Sequence, residues 1–302
     1  MKELIYKIKK SIKETLIFII LIQLVNTFLY SLSFFYRGKL SSGFYWLYVR
    51  NKVSFFGNGA GCKSEDSYKL TAPLVKDGFM ETKSLSKETV AKLEKLFLDS
   101  QDKNYNSLQE YFDSKKRNND VRPQGTSIAL NKKIITKVFE ELNILPKVKE
   151  YLGLSEKEIY FFAKIDCLIN INGTPVYKIR SDNALEFHRD IDSLTFVKAF
   201  CYLCDISEGF GEHEVCIGSH KKLPTRLRVI SRFTHNDLLE KIPHLKLKSI
   251  YGNSGYSWLE DTTMFHRGTV PTKGNRLILS LSFNDAKSTK HMLEKEYYPL
   301  EI

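Results

Sequence analysis

Glu186-Phe187-His188-Arg189-Asp190, set just ahead of Leu194-Thr195-Phe196-Val197 and Phe200-Cys201-Tyr202-Leu203, is the stretch on which the fold turns. The flanking runs are rich in strand formers, and an H-x-D on a strand puts both side chains on one side, because side chains alternate with period two. Far downstream, His266 follows Trp258-Leu259-Glu260-Asp261-Thr262-Thr263-Met264-Phe265, and Arg276 opens the strand-like Leu277-Ile278-Leu279-Ser280-Leu281-Ser282-Phe283. His188, Asp190 and His266 make up the 2-His-1-carboxylate set, which holds a non-haem iron by one face and leaves the other open. Arg276, ten residues past the second histidine, brings a planar and permanently charged fork suited to a carboxylate. A bare H-x-D is a weak signal, and His188 taken alone reads equally as an ordinary surface or core histidine. The context carries the reading: all four residues fall at strand edges, in the order that a jelly-roll site requires.

The same segments, from about Leu74 to Phe283, resemble the phytanoyl-CoA dioxygenase-like family of Fe(II)/2-oxoglutarate-dependent oxygenases. Lys76-Asp77-Gly78-Phe79-Met80 and then Leu85-Ser86-Lys87-Glu88-Thr89-Val90-Ala91-Lys92-Leu93 look like its opening strand and first helix. Pro146 to Gly153 looks like the helix end before the barrel, and Ile217-Gly218-Ser219-His220-Lys221 is similar to its Gly-Ser/Thr-His turn. Phe265-His266-Arg267-Gly268, through Gly274-Asn275-Arg276, is similar to its closing segment. The resemblance implies an α+β fold: a double-stranded β-helix (jelly roll, cupin-like) flanked by helices. It further implies that His188, Asp190 and His266 ligate Fe(II), and that Arg276 pairs with the distal carboxylate of 2-oxoglutarate. O2 would then be the oxidant, succinate and CO2 the co-products, and hydroxylation of a substrate carbon the outcome. Asp190 speaks against halogenation, which would need that ligand position vacated. Phe200 falls where the family can carry an indole, and Gly268 where it can carry a hydroxyl.

The neighbouring candidates have plainer readings. Asp192 could replace Asp190 as a ligand but lies one pleat further on. His220 is expected to hydrogen-bond within its turn, and His213, in the loop after Glu208-Gly209-Phe210-Gly211-Glu212, reads as a solvated loop residue that could face substrate. His235, His244 and His291 read as surface positions. Cys201 and Cys204 form a C-x-x-C inside an apolar run that points them to opposite faces, against a zinc or redox role.

The chain of 302 residues carries a formal charge of +11, and where that charge sits decides its meaning. Nine Lys/Arg against Glu3 and Glu14 give residues 1–52 a net +7, which leaves +4 for the remaining 250. The excess flanks one apolar segment, Leu16 to Tyr36, which is free of charge between Glu14 and Arg37. That pattern points to a membrane rather than to nucleic acid. At about 1.5 Å per residue the segment is long enough to cross a hydrocarbon layer of about 30 Å. A helix lying in the interface and a buried N-terminal helix are the alternatives. The expected organisation is a basic segment (1–14), a hydrophobic anchor helix (15–36), a connector (37–69) and the dioxygenase domain (70–302). Five cysteines, an odd count without framework spacing, suit a reducing compartment and place the domain on the cytosolic side. The sequon Asn172-Gly173-Thr174 reads as a hairpin turn.

Elsewhere, Ser86 is expected to cap a helix reaching about Asp99, and Ile134, Ile135, Val138, Phe139, Leu142 and Ile144 to form a second amphipathic one. Ser100 to Gln124 reads as loop, and the charged tail from Lys287 as an edge cover or a mobile end. A membrane-tethered oxygenase would act on a lipid or a glycan-linked small molecule. A soluble metabolite, an acyl-CoA and a non-catalytic membrane-held binding module are the competing expectations.

Overall fold

The computed structural model describes Leu21, Leu24 and Val25 and, from residue 68 to residue 300, all but 102, 119–125, 129–130, 171–184, 191, 222–231, 245 and 287–296. Among the described residues no helix is long and apolar enough to cross a membrane. The expected anchor at 15–36 lies outside them except for Leu21, Leu24 and Val25, which are helical and exposed. The sequon at Asn172 and His291 lie outside them as well.

A helical layer comes first. Helix α1 (Ala72–Asp77) begins with a proline in its first turn and ends at Gly78, whose φ of 78° is left-handed. A Cβ at Gly78 would stand 2.8 Å from the His220 ring, so only glycine serves there. Strand β1 (Phe79–Glu81) follows, then helix α2 (Lys87–Asp99), where the Ser86 side chain accepts from the Thr89 amide and Val90, Leu93 and Phe97 are buried. Helix α3 (Leu108–Arg117) occupies the stretch expected to be loop; Ser107 caps it and Tyr111 and Phe112 are buried. After β2 (Thr126–Ser127) come helix α4 (Lys132–Leu142), ended by left-handed Asn143, and helix α5 (Leu145–Leu152).

Strands fill the rest: β3 (Ile159–Leu168), β4 (Phe187–His188), β5 (Phe196–Tyr202), β6 (His213–Ile217) and β7 (Arg232–Phe233). Helix α6 (His235–Lys241) then leads to β8 (Lys246–Ile250), β9 (Ser257–Glu260), β10 (His266–Gly268), β11 (Arg276–Asp285) and β12 (Tyr298–Pro299). Two antiparallel sheets result, ordered β1-β9-β5-β11-β3-β12, with β2 also on β3, and β7-β4-β10-β6-β8. The chain passes repeatedly from one sheet to the other, with β3, β5, β9 and β11 in the first and β4, β6, β8 and β10 in the second. That is the arrangement of a jelly roll. β12 lies along the edge of β3 with Leu300 buried behind it, so the tail's end covers a strand edge.

Period two divides the larger sheet into two chemistries. Its outer face turns Ala163, Ile165 and Cys167, Val197, Ala199 and Cys201, and Leu277, Leu279, Leu281 and Phe283 toward the helices, forming the main apolar core with residues such as Leu93, Val138 and Leu142. Its inner face carries Phe162, Lys164 and Asp166, Lys198 and Phe200, and Ser280 and Ser282, all lining one cavity. Cross-strand pairing makes rows of these: Lys164, Ser280 and Phe200 in one, Phe162, Ser282 and Lys198 in the next. Enclosing charged side chains costs several kcal/mol unless they are paired or bind an ion. A polar interior behind an apolar exterior therefore marks the inside of the jelly roll as the place of function.

Candidate active site

His188 ends β4 and His266 begins β10, and the two are register partners across that strand pair. Nδ1 of His188 is 2.9 Å from the Glu186 carbonyl oxygen, and Nδ1 of His266 is 2.9 Å from that of Met264. A carbonyl only accepts, so each Nδ1 carries the proton and each Nε2 presents its lone pair. Asp190 follows β4, its backbone amide pinned to the Thr262 carbonyl at 2.8 Å. Its Oδ1 lies 3.8 Å from Nε2 of His188, and its Oδ2 lies 3.5 Å from Nε2 of His266. One ligand atom from each of the three residues falls within 4.8 Å of the others, the one such cluster among the described residues. The donor set, two imidazoles and one carboxylate, fits a divalent iron held on one face. Burial above all, and His188 after it, push the His266 imidazole down to about 4 against Asp190 and Glu260, so it stays neutral at ordinary pH.

Lys198, which the sequence reading passed over, completes this corner. Its Nζ stands 2.6 Å from Oδ2 of Asp190 and 2.8 Å from Oδ2 of Asp192. Asp192 therefore faces the lysine and stands outside the ligand cluster. Burial disfavours the Asp190 carboxylate, but Lys198, His266 and His188 outweigh it and hold the group well below the usual carboxylate range. Burial likewise opposes the Lys198 ammonium, and the two aspartates outweigh it, keeping it charged.

Arg276, at the start of β11, is buried in the same cavity and donates from Nη1 to the Gly211 carbonyl at 2.7 Å. A Cβ at Gly268 would stand 2.8 Å from that Nη1, so the glycine in β10 makes room for the guanidinium. His213 is no solvated loop residue: it is buried on β6, opposite Gly268, stacked on His266 at 5.5 Å between ring centroids. Burial, with Arg276 nearby, pushes it down to about 3. Its Nε2 lies 3.0 Å from Glu260 Oε2, and that oxygen accepts a hydrogen bond from the Trp258 indole at 2.9 Å. Fully enclosed, Glu260 is pushed up to about 7 by burial, against the lowering influence of His266 and Trp258. Phe200 stacks on Trp258 at 5.4 Å and supplies an apolar wall. The whole encloses a cavity of about 380 Å³ that reaches from Arg276 past the ligand cluster to Lys198.

The other candidates are structural. His220 donates from Nε2 to the Val75 carbonyl, 3.1 Å away on α1, rather than within its own turn, and the adjacent Ser219 hydroxyl accepts from the Phe265 amide. His235 is half-buried beside Phe187 and Arg267 rather than on the surface, whereas His244 is exposed. Cys201 packs in the main core, while the Cys204 sulfur accepts from the Leu277 amide at 3.2 Å. Lys198, His213 and Glu260 left one sequence signal: each is a polar residue at an inward position of an alternating strand.

No family model matches the chain, and no curated protein matches it. Among solved structures it is similar to the epimerase SnoN in complex with Fe3+, alpha ketoglutarate and nogalamycin RO, at 14% identity over 78% of this chain and 88% of that one, TM-score 0.49. It is also similar to HygX from Streptomyces hygroscopicus with nickel and 2-oxoglutarate bound, at 16% identity over 70% and 85%, TM-score 0.43. EvdO2 from Micromonospora carbonacea var. aurantiaca, complexed with 2-oxoglutarate, is similar at 14% identity over 74% and 91%, TM-score 0.46.

Proposed function

We propose that this protein is an Fe(II)/2-oxoglutarate-dependent dioxygenase of the phytanoyl-CoA dioxygenase-like kind, hydroxylating a carbon of a small-molecule substrate. The observation that carries the reading is the convergence of His188, Asp190 and His266 within 4.8 Å, in a cavity that Arg276 also lines. Bound iron would supply the activation of O2 that couples decarboxylation of 2-oxoglutarate, giving succinate and CO2, to insertion of one oxygen atom into a C–H bond. The chain's residues then have separate tasks. His188, Asp190 and His266 hold the metal and leave part of its coordination open. Arg276 takes the distal carboxylate of 2-oxoglutarate by a charge-assisted pair and so fixes which end reaches the metal. Gly268 keeps the guanidinium's space clear, while Phe200, backed by Trp258, and Ile278 line the pocket with apolar surface that favours shedding water.

The substrate is proposed to be membrane-associated, a lipid or a glycan-linked molecule, with attachment through residues 15–36 and the dioxygenase domain on the cytosolic side. That part rests on the uncharged apolar run from Leu16 to Tyr36 and its basic flanks. It fails if removing residues 1–36 leaves both membrane fractionation and cellular turnover unchanged.

The metal reading is tested anaerobically with the full chain, Fe(II) and 2-oxoglutarate. A visible metal-to-ligand charge-transfer band is expected, lost in His188→Ala and weakened in Arg276→Ala. No band from folded protein overturns the reading.

A further inference from the structure

Lys198 is placed oddly for an oxygenase. A dication bound by Asp190 would share that carboxylate with an ammonium already 2.6 Å from Oδ2. Nothing about strand β5 requires a cation here. The position alternates with Val197 and Ala199 on the outer face and is followed inward by Phe200. Its cross-strand partners are Ser282 and Glu260. The lysine side chain is only 14% exposed, and it is held on its other side by Asp192, 2.8 Å away and equally enclosed. A buried ammonium given two carboxylates, one of them a metal ligand, is an arrangement with a consequence for the metal.

We propose that Lys198 and Asp192 together set how tightly and by how many atoms the cluster holds its metal, with Lys198 as a positioning residue acting through Asp190. The inference rests on the metal reading above. Lys198 engages Oδ2 of Asp190, which also lies 3.5 Å from His266 Nε2, and Oδ1, 3.8 Å from His188 Nε2, is the oxygen assigned to one-point ligation. A carboxylate that bound through both oxygens would consume one more coordination position. Held through two histidines and one carboxylate oxygen, a bound ion would keep more of its coordination open to a two-point keto acid and O2. The ammonium also repels a dication a few ångströms away, at low effective dielectric. Asp192 offsets that repulsion. The metal therefore binds more weakly than the bare triad would allow, and the open positions are kept.

Two substitutions of opposite sign test this. Lys198→Met keeps length and apolar volume but removes the charge and frees Oδ2, whereas Asp192→Asn removes the compensating anion and leaves the ammonium in place. Mn(II) affinity of the full chain, read from the free-ion electron paramagnetic resonance signal, is expected to rise at least tenfold in Lys198→Met and to fall at least tenfold in Asp192→Asn. Anaerobic addition of Fe(II) and 2-oxoglutarate to Lys198→Met is expected to give a weaker charge-transfer band despite the tighter metal. A residue that merely packed would loosen the metal when removed, and could not tighten metal and weaken co-substrate together. Unchanged or weaker Mn(II) binding in folded Lys198→Met overturns the proposal. If that variant does not fold, Asp192→Asn decides alone, and unchanged or tighter binding there overturns it. Wild-type protein that takes up no Mn(II), or takes it up equally in His188→Ala, overturns the metal reading itself, which is a separate result.

Discussion

His188 and His266 face each other across two antiparallel strands with ring centroids 4.3 Å apart, and each ring is tied by Nδ1 to the carbonyl two residues before it. The repeat of that short-range bond is what aims both Nε2 atoms at one point, since β4 and β10 pair directly at these residues. Backbone carbonyls of the same two strand segments thus orient both rings.

A divalent ion that binds this cluster in the folded chain and not in the unfolded one adds its binding energy to folding stability. Mn(II) at about one hundred times its dissociation constant is expected to stabilise wild-type protein by about 2.7 kcal/mol. His266→Ala should show no ion-dependent gain, whatever its starting stability. Thermal denaturation with and without Mn(II) checks this. An equal gain in both proteins would place the ion elsewhere.

Substitution at Gly268 is expected to separate co-substrate binding from metal binding. Since a Cβ there would press to 2.8 Å from Arg276 Nη1, Gly268→Ala must displace the guanidinium or the strand. The expected outcome is a 2-oxoglutarate affinity at least tenfold weaker, about 1.4 kcal/mol, with Mn(II) affinity within twofold of wild type. Arg276→Lys should behave alike, because an ammonium cannot reproduce the two-point fork. Isothermal titration with each ligand in turn separates the two effects.

Much of this site was legible in the chain because it obeys local rules. The H-x-D spacing, His266 and Arg276 sit at the ends of runs whose strand character is evident, and Ser86 and Gly153 announce their helix ends. What escaped depends on contacts distant in sequence. Lys198, His213 and Glu260 become site residues only when the two sheets close over one another, and His213 sits beside a glycine-rich loop that suggests solvent. Helix α3 was hidden because Leu108, Tyr111 and Phe112 are its whole apolar stripe in an otherwise polar stretch, and that stripe finds its value only against Phe97, whose ring meets Tyr111 at 5.0 Å. Asp192 could be set aside only once Lys198 was seen to claim it.

Glu150 on α5 gives a pH-dependent test of the scaffold. Its carboxylate accepts from the amides of Lys69, Leu70 and Thr71 and from the Thr71 hydroxyl, at 2.7 to 3.1 Å, and so ties the start of the described domain to α5. Burial alone would raise its pKa, but those hydrogen bonds outweigh burial, Thr71's hydroxyl first among them, and the group titrates below its ordinary range. A depressed folded-state value means that the stabilisation is fully present above the unfolded value, about 4.3, and is lost as pH falls through the folded one. Glu150→Gln is therefore expected to lose about 1 kcal/mol at pH 7, the usual net worth of a hydrogen-bonding group that keeps some solvent contact. The difference between the two proteins should shrink steadily below about pH 4 as wild type protonates and glutamine does not. Urea midpoints at pH 7, 4 and 3 measure it, and a difference that stays constant across the three would show that the amide bonds, not the charge, hold α1 to α5.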